Sequence, residues 1–212
     1  MMNRWVCSCV LAFFALAPHA TSLLHAQSAA APSRAFTLSI PDTVVLDQDN
    51  RKLHFYSDLI KGKTVAINFI FTTCTTICPP LTANFAKLQR IMRERGEKKF
   101  QLISVSVDPE TDTPEKLKRY AELFEAKAGW TFVTGTRAEL EPIWRAFKVY
   151  TSNKLDHTAM VVIGDDTRDT WIYASGLSSA RELGRAIDSV LSHKEPIHAS
   201  AAAYKEGHRN SQ

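Results

Sequence analysis

Two stretches of this chain are mostly apolar, 64–71 and 100–107. Such runs suit strands covered on both faces of a sheet. Between them, apolar residues recur at helical spacing at Leu81, Phe85, Leu88, Ile91 and Met92, with Lys87, Arg90, Arg93 and Glu94 around them. This pattern predicts an amphipathic helix over 81–95. Pro79 and Pro80 are tolerated only in a first turn, where a missing N–H has no partner to lose, so the helix starts close to Cys78. After the second run, Asp112-Thr113-Pro114-Glu115 combines a capping residue, a proline at the first helical position and an acid in the first turn. A helix from 114 to about 126 follows from these signals. A strand over 130–133, a helix over 138–147, strands over 159–163 and 170–174 around a turn-rich 164–169, and a helix over 179–193 complete the domain. In front, 43–46 and 52–55 flank Asp47-Gln-Asp-Asn50 and predict a small hairpin, with His54 pointing away from the core.

Strands that alternate with helices imply parallel pairing with right-handed crossovers, and the late hairpin forces an antiparallel pair into the same sheet. The expected fold is α/β and thioredoxin-like: a central mixed sheet flanked by helices, with an N-terminal β-hairpin. A chain of 212 residues with 45% hydrophobic and 23% charged residues is enough for one domain with a full core. The formal charge of +4 is spread among interspersed lysines, arginines and acids. Without a basic stripe or aromatic interleaving, nucleic acid is not an expected partner.

The termini bear on location. Arg4, an apolar run over 6–17 and Leu24-His25-Ala26 before Gln27 read as a secretory signal peptide over 1–26. The apolar run is short for a bilayer span, so export to the periplasm is expected, with an uncleaved inner-membrane anchor as the alternative. Residues 27–35, rich in Ala, Ser and Pro, read as a linker, 36–193 as the thioredoxin-like domain and 194–212 as a flexible tail. Cys7 and Cys9 leave with the signal.

That leaves Cys74 and Cys78, placed where a buried strand hands over to a helix. The unpaired N–H groups of a first helical turn and the positive end of its dipole favour anions, so both thiols are expected to have lowered pKa values and to present thiolates. A disulfide closed over three intervening residues restrains little chain entropy, which favours redox or metal chemistry over a structural staple. His157, in Lys154-Leu-Asp-His157-Thr, stands just before the strand expected to run antiparallel to the first central one. In a sheet of this plan ligands collect where strands end and loops converge, so His157 is placed to approach the thiols. Two soft thiolates and an imidazole suit copper in either oxidation state. Zinc accepts the same donors, but a structural zinc site normally recruits four.

Three segments carry a resemblance. Phe71-Thr72-x-Cys74-x-x-x-Cys78-Pro79, then Ser104-Val-Ser-Val107-Asp108-Pro109-Glu110-x-Asp112-Thr113-Pro114, then Asp156-His157-Thr158 together resemble the Sco/SenC family of thioredoxin-like copper proteins, in order and in spacing. The resemblance implies one copper ion, Cu(I) or Cu(II), held by Cys74, Cys78 and His157. It also implies a metallochaperone that helps assemble the dinuclear copper centre of cytochrome c oxidase, its partner being the copper-bearing subunit or another copper chaperone. A monomer with peripheral membrane association fits that role. Asp156 either polarises the site from behind the ligands or caps a turn. The alternative is an enzyme, a thiol-disulfide oxidoreductase in which Cys74 and Cys78 form the redox-active pair and keep partner cysteines reduced. Thioredoxin-type reductants usually use C-x2-C, with a proline just before the antiparallel strand; here the spacing is C-x3-C and Asp156-His157-Thr158-Ala159 stands in that place.

Overall fold

A hairpin of β1 (Val44–Asp47) and β2 (Lys52–His54) opens the fold, paired antiparallel with Val45 opposite Leu53. The computed structural model describes residues 38–150, 153 and 159–192; the signal, linker and tail assignments lie outside them. Asp47 makes the hairpin turn by accepting from the backbone N–H groups of Asp49 and Arg51, at 2.9 and 2.8 Å. The chain does not extend β2 to residue 55, as its alternation suggested. Phe55 instead begins a short helix, α1 (Phe55–Leu59), because the Asp42 carboxylate accepts from the N–H groups of Tyr56 and Ser57 and from the Ser57 hydroxyl. This turns the buried Phe55 ring edge-on to Phe147, with centroids 6.2 Å apart.

The alternating part follows as β3 (Thr64–Ile70), α2 (Cys78–Glu94), β4 (Phe100–Ser106), α3 (Pro114–Leu123), β5 (Trp130–Thr134), α4 (Arg137–Ala146), β6 (Met160–Asp165), β7 (Thr170–Ser175) and α5 (Ala180–Ser192). The seven strands form one mixed sheet in the order β2-β1-β5-β4-β3-β6-β7. β3 is buried at every position, pairs parallel with β4 and antiparallel with β6, and so is the central strand its near-continuous apolar run predicted. Both crossovers, β3 to β4 and β4 to β5, step the same way across the sheet, so right-handedness puts α2 and α3 on one face. There the Thr82 and Tyr120 hydroxyls lie 3.0 Å apart, and Gln89 bonds the backbone of Lys127 through both ends of its amide. α5 packs beside α2, joined by Arg95 and Asp188 at 2.9 Å. The opposite face buries Phe147, at the end of α4, against Phe55, Phe69 and Trp171. α3 stops short of residue 126 because Glu125 takes a left-handed backbone, φ 54°, that no helix continues.

The β6–β7 hairpin turns through a single 3-10 turn and closes one sheet edge, with Gly164 opposite Trp171. The buried Trp171 ring lies so close over Gly164 that a Cβ there would overlap it. Gly164→Ala is therefore expected to lower the free energy of unfolding by about 1–3 kcal/mol, the usual cost of overpacking. A urea midpoint equal to that of the unaltered protein would mean that the ring swings aside without cost.

Candidate functional site

Beyond Ile70 the chain leaves the sheet and makes a turn in which the Cys74 N–H donates to the Phe71 carbonyl at 3.1 Å. α2 then starts at Cys78, with its prolines in the first turn as their missing N–H groups require. The residue before it, Ile77, offers no capping side chain. The sulfur of Cys74 takes that place: it accepts from the Cys78 N–H at 3.4 Å and lies 3.7 Å from the Thr76 hydroxyl. A sulfur that caps a helix N-terminus is favoured as the anion.

The two thiols are therefore unequal. Burial alone would push Cys74 up, but hydrogen bonds from Cys78 and Thr76 outweigh it and bring the thiol down to about 7. Cys78 points into the core with no exposed surface. It is pushed up to about 12, first by that burial and then by the neighbouring Cys74 and Asp112, against a hydrogen bond from Phe71 that favours the thiolate. The expectation that both thiols would be lowered is thus corrected. The cysteine in the turn ahead of the helix aims its sulfur at the helix terminus, whereas the one inside the first helical turn directs its side chain into the core. No disulfide joins Cys74 and Cys78 in this structure.

This inequality has a measurable consequence. Thiolate is the basic form and accumulates as pH rises, so a pKa near 7 moves the alkylation of Cys74 down from the range of a free cysteine. Half-maximal reaction with iodoacetamide is expected near pH 7, and at that pH the thiolate fraction is roughly fifteenfold that of an unperturbed cysteine with a pKa of about 8.5. A midpoint above about pH 8 would contradict the helix-capping role of the sulfur.

A buried carboxylate lies behind the cysteine turn. Asp112 has no exposed surface, and its Oδ1 accepts from the Thr72 N–H at 3.0 Å and the Thr72 hydroxyl at 2.6 Å. Its Oδ2 accepts from the Ser106 hydroxyl at 2.6 Å. Burial raises its pKa, against the three hydrogen bonds that favour the ionised form. In the sequence this residue reads only as part of a helix start, and the cap of α3 is in fact Thr113. Buried Tyr120, with its pKa raised by burial and then by the charges of Cys78, Cys74 and Asp112, completes the polar surroundings of the thiols.

Of the predicted site residues, Cys74 and Cys78 come together. His157 and its neighbour Asp156 lie outside the described residues. Among the described residues no three His, Cys, Asp or Glu side chains converge on one point as metal ligands, and no helix is long and apolar enough to cross a membrane.

A mixed sheet flanked by helices, with a front hairpin and a capped thiol pair between the central strand and its helix, defines a thioredoxin-like dithiol protein. Residues 45–192 match the SCO1/SenC family model, and the chain belongs to that family. It is 38% identical over 97 residues to the SCO1 protein homolog of Bacillus subtilis (strain 168), covering 45% of this chain and 49% of the relative. The chain thus spans about half the length of the curated relatives it matches. The structure is similar to that of BsSco, a member of the Sco family of cytochrome c oxidase assembly proteins in which a disulfide switch has been identified. That match has a TM-score of 0.63 and 26% identity, over 74% of this chain and 96% of the other. It is also similar to Bradyrhizobium japonicum ScoI with copper bound, with a TM-score of 0.59 and 25% identity over 72% of this chain and 99% of that one.

Proposed function

We propose that this chain is an exported metallochaperone that binds one copper ion through Cys74, Cys78 and His157 and hands it to the dinuclear copper centre of cytochrome c oxidase. The observation that carries the reading is the pair of unequal thiols at the head of α2, one capping the helix and one buried in the core. Their chemistry fits copper as cargo: thiolates select Cu(I), and thiolate with imidazole accepts Cu(II). One thiol is poised to ionise near neutral pH and so to make the first bond, while the other gives up its proton only as the metal replaces it. The strand register supports the place of the histidine, since Val161 pairs with Asn68 and β6 therefore starts beside the end of β3 that leads to Cys74. His157 precedes β6 by three residues. Copper bound to ScoI and the assembly role of the BsSco family point the same way. The signal-like start of the sequence supports a periplasmic location.

The same inequality favours a second reading, thiol-disulfide exchange. The Cys74 thiolate would attack a partner disulfide, forming a mixed disulfide and releasing one partner thiol. Cys78 would then displace the second partner sulfur, leaving Cys74–Cys78 oxidised and the partner dithiol reduced. The two readings separate on stoichiometric copper. The reduced protein is expected to take up one equivalent, and the protein oxidised to the Cys74–Cys78 disulfide none, as followed by equilibrium dialysis. Equal uptake by the two forms would remove the thiols from the metal site.

A further inference from the structure

The sheet ends in an unusual way beside the thiols. The last parallel rung between β3 and β4 is the Val107 N–H to the Ile70 carbonyl, at 2.8 Å. One step further on, the Thr72 N–H needs an acceptor, but β4 has already turned away at Asp108-Pro109. The Asp112 carboxylate stands in for the missing strand. It also takes the Thr72 hydroxyl, and through Ser106 it is fixed to the end of β4; the Ser106 hydroxyl oxygen in turn accepts from the Asp108 N–H at 3.0 Å. Asp112 itself is held by its own N–H, which donates to the Asp108 carbonyl at 2.8 Å. Asp112, Ser106 and Asp108 are buried and Thr72 is half-buried, and the cluster grips the chain two residues before Cys74.

We propose that Asp112 is a positioning residue for the dithiol: by clamping Thr72 to the end of β4, it holds Cys74 in the orientation in which its sulfur caps α2. Within the turn, the Cys74 N–H bond to Phe71 and the sulfur cap on Cys78 are both internal to the segment. The link to Asp112 ties that segment to a second element of the sheet. A carboxylate suits the place because all three groups facing it are donors. An asparagine keeps an oxygen for Thr72 but turns a donor towards Ser106, whose hydroxyl loses its acceptor.

The inference rests on the dithiol being the working site proposed above, and its test reads the thiols without copper. Alkylation of Cys74 is followed by peptide mass at about pH 9, where most of this thiol is ionised whether or not the helix terminus lowers its pKa. Asp112→Ala is expected to raise the rate about tenfold, because Cys74 is only 8% exposed and reacts through opening of its turn. Asp112→Asn is expected to stay within about threefold of the unaltered protein, since it keeps the Thr72 acceptor. Hydrogen exchange in β4 and β5 should remain as slow as before. An unchanged rate in folded Asp112→Ala would overturn the proposal. So would a loss of exchange protection throughout β4 and β5 in step with the alkylation, which would make Asp112 a general stabiliser. If Asp112→Ala fails to fold, Thr72→Val removes only the hydroxyl donor and is expected to raise the rate about threefold, and an unchanged rate there overturns the clamp. Because no metal enters the measurement, a protein that took up no copper would remove the copper reading and leave this result standing.

Discussion

Cys78→Ala is expected to fold and to lose copper almost completely. The substitution removes one sulfur atom from the core at a position with no exposed surface, a cavity that costs about 1–2 kcal/mol and leaves the sheet intact. The helix N-terminus keeps its N–H, so Cys74 can still cap it. The metal, however, loses one of two thiolates. Affinity for Cu(I), which depends most on soft sulfur donors, should fall on the order of 1,000-fold or more, beyond the ~10–100-fold that follows loss of a group merely supporting a ligand. Competition against a Cu(I) chelator measures this. An affinity within tenfold of the unaltered protein would mean that Cys78 serves only redox exchange.

His157→Ala should separate the two oxidation states of the metal. Cu(II) favours imidazole beside thiolate, so its affinity is expected to drop by on the order of 100-fold, with a changed sulfur-to-copper absorption band. Cu(I) can remain on the two sulfurs and should weaken by less than about tenfold. The Cys74–Cys78 disulfide should still form in this variant, since both thiols are untouched. Unchanged Cu(II) affinity and spectrum would remove His157 from the ligand set, and loss of disulfide formation would assign it to thiol exchange. Measured together, the two variants ask whether the same residues carry copper and electrons.

The clearest parts of the fold in the sequence were those governed by local patterns. The near-continuous apolar run before Cys74 marked the central strand because both its faces are covered, and Pro79-Pro80 marked the start of α2 because only a first turn accepts them. The hairpin at the front was legible from its turn residues, but the helix at Phe55 was not, because the side chain that caps it is Asp42, in the segment before β1. The candidate site divides in the same way. The position of the thiols at a strand-to-helix junction is a local fact, whereas their inequality depends on which sulfur meets the helix terminus and which meets the core. Asp112 was hidden for a further reason. In the sequence it sits in front of a helix, where an acid reads as a cap, while its partners Thr72 and Ser106 come from the ends of two strands that only the sheet brings together.

The asymmetry of the thiols would give the proposed transfer an order. Cys74, brought down to about 7, would form the first bond at neutral pH, and Cys78, pushed up to about 12, would close the site afterwards. The same order serves a metal and a mixed disulfide, which is why a single arrangement supports both readings.

The proposed site holds one copper ion among Cys74, Cys78 and His157. X-ray absorption at the copper edge, on reduced protein loaded with one equivalent of Cu(I) or Cu(II), reads the ligand set itself. Two sulfur neighbours are expected in both states, with an imidazole nitrogen that is firmly bound in the Cu(II) form and absent from His157→Ala. A copper ion surrounded by nitrogen and oxygen alone, or by one sulfur, would contradict it.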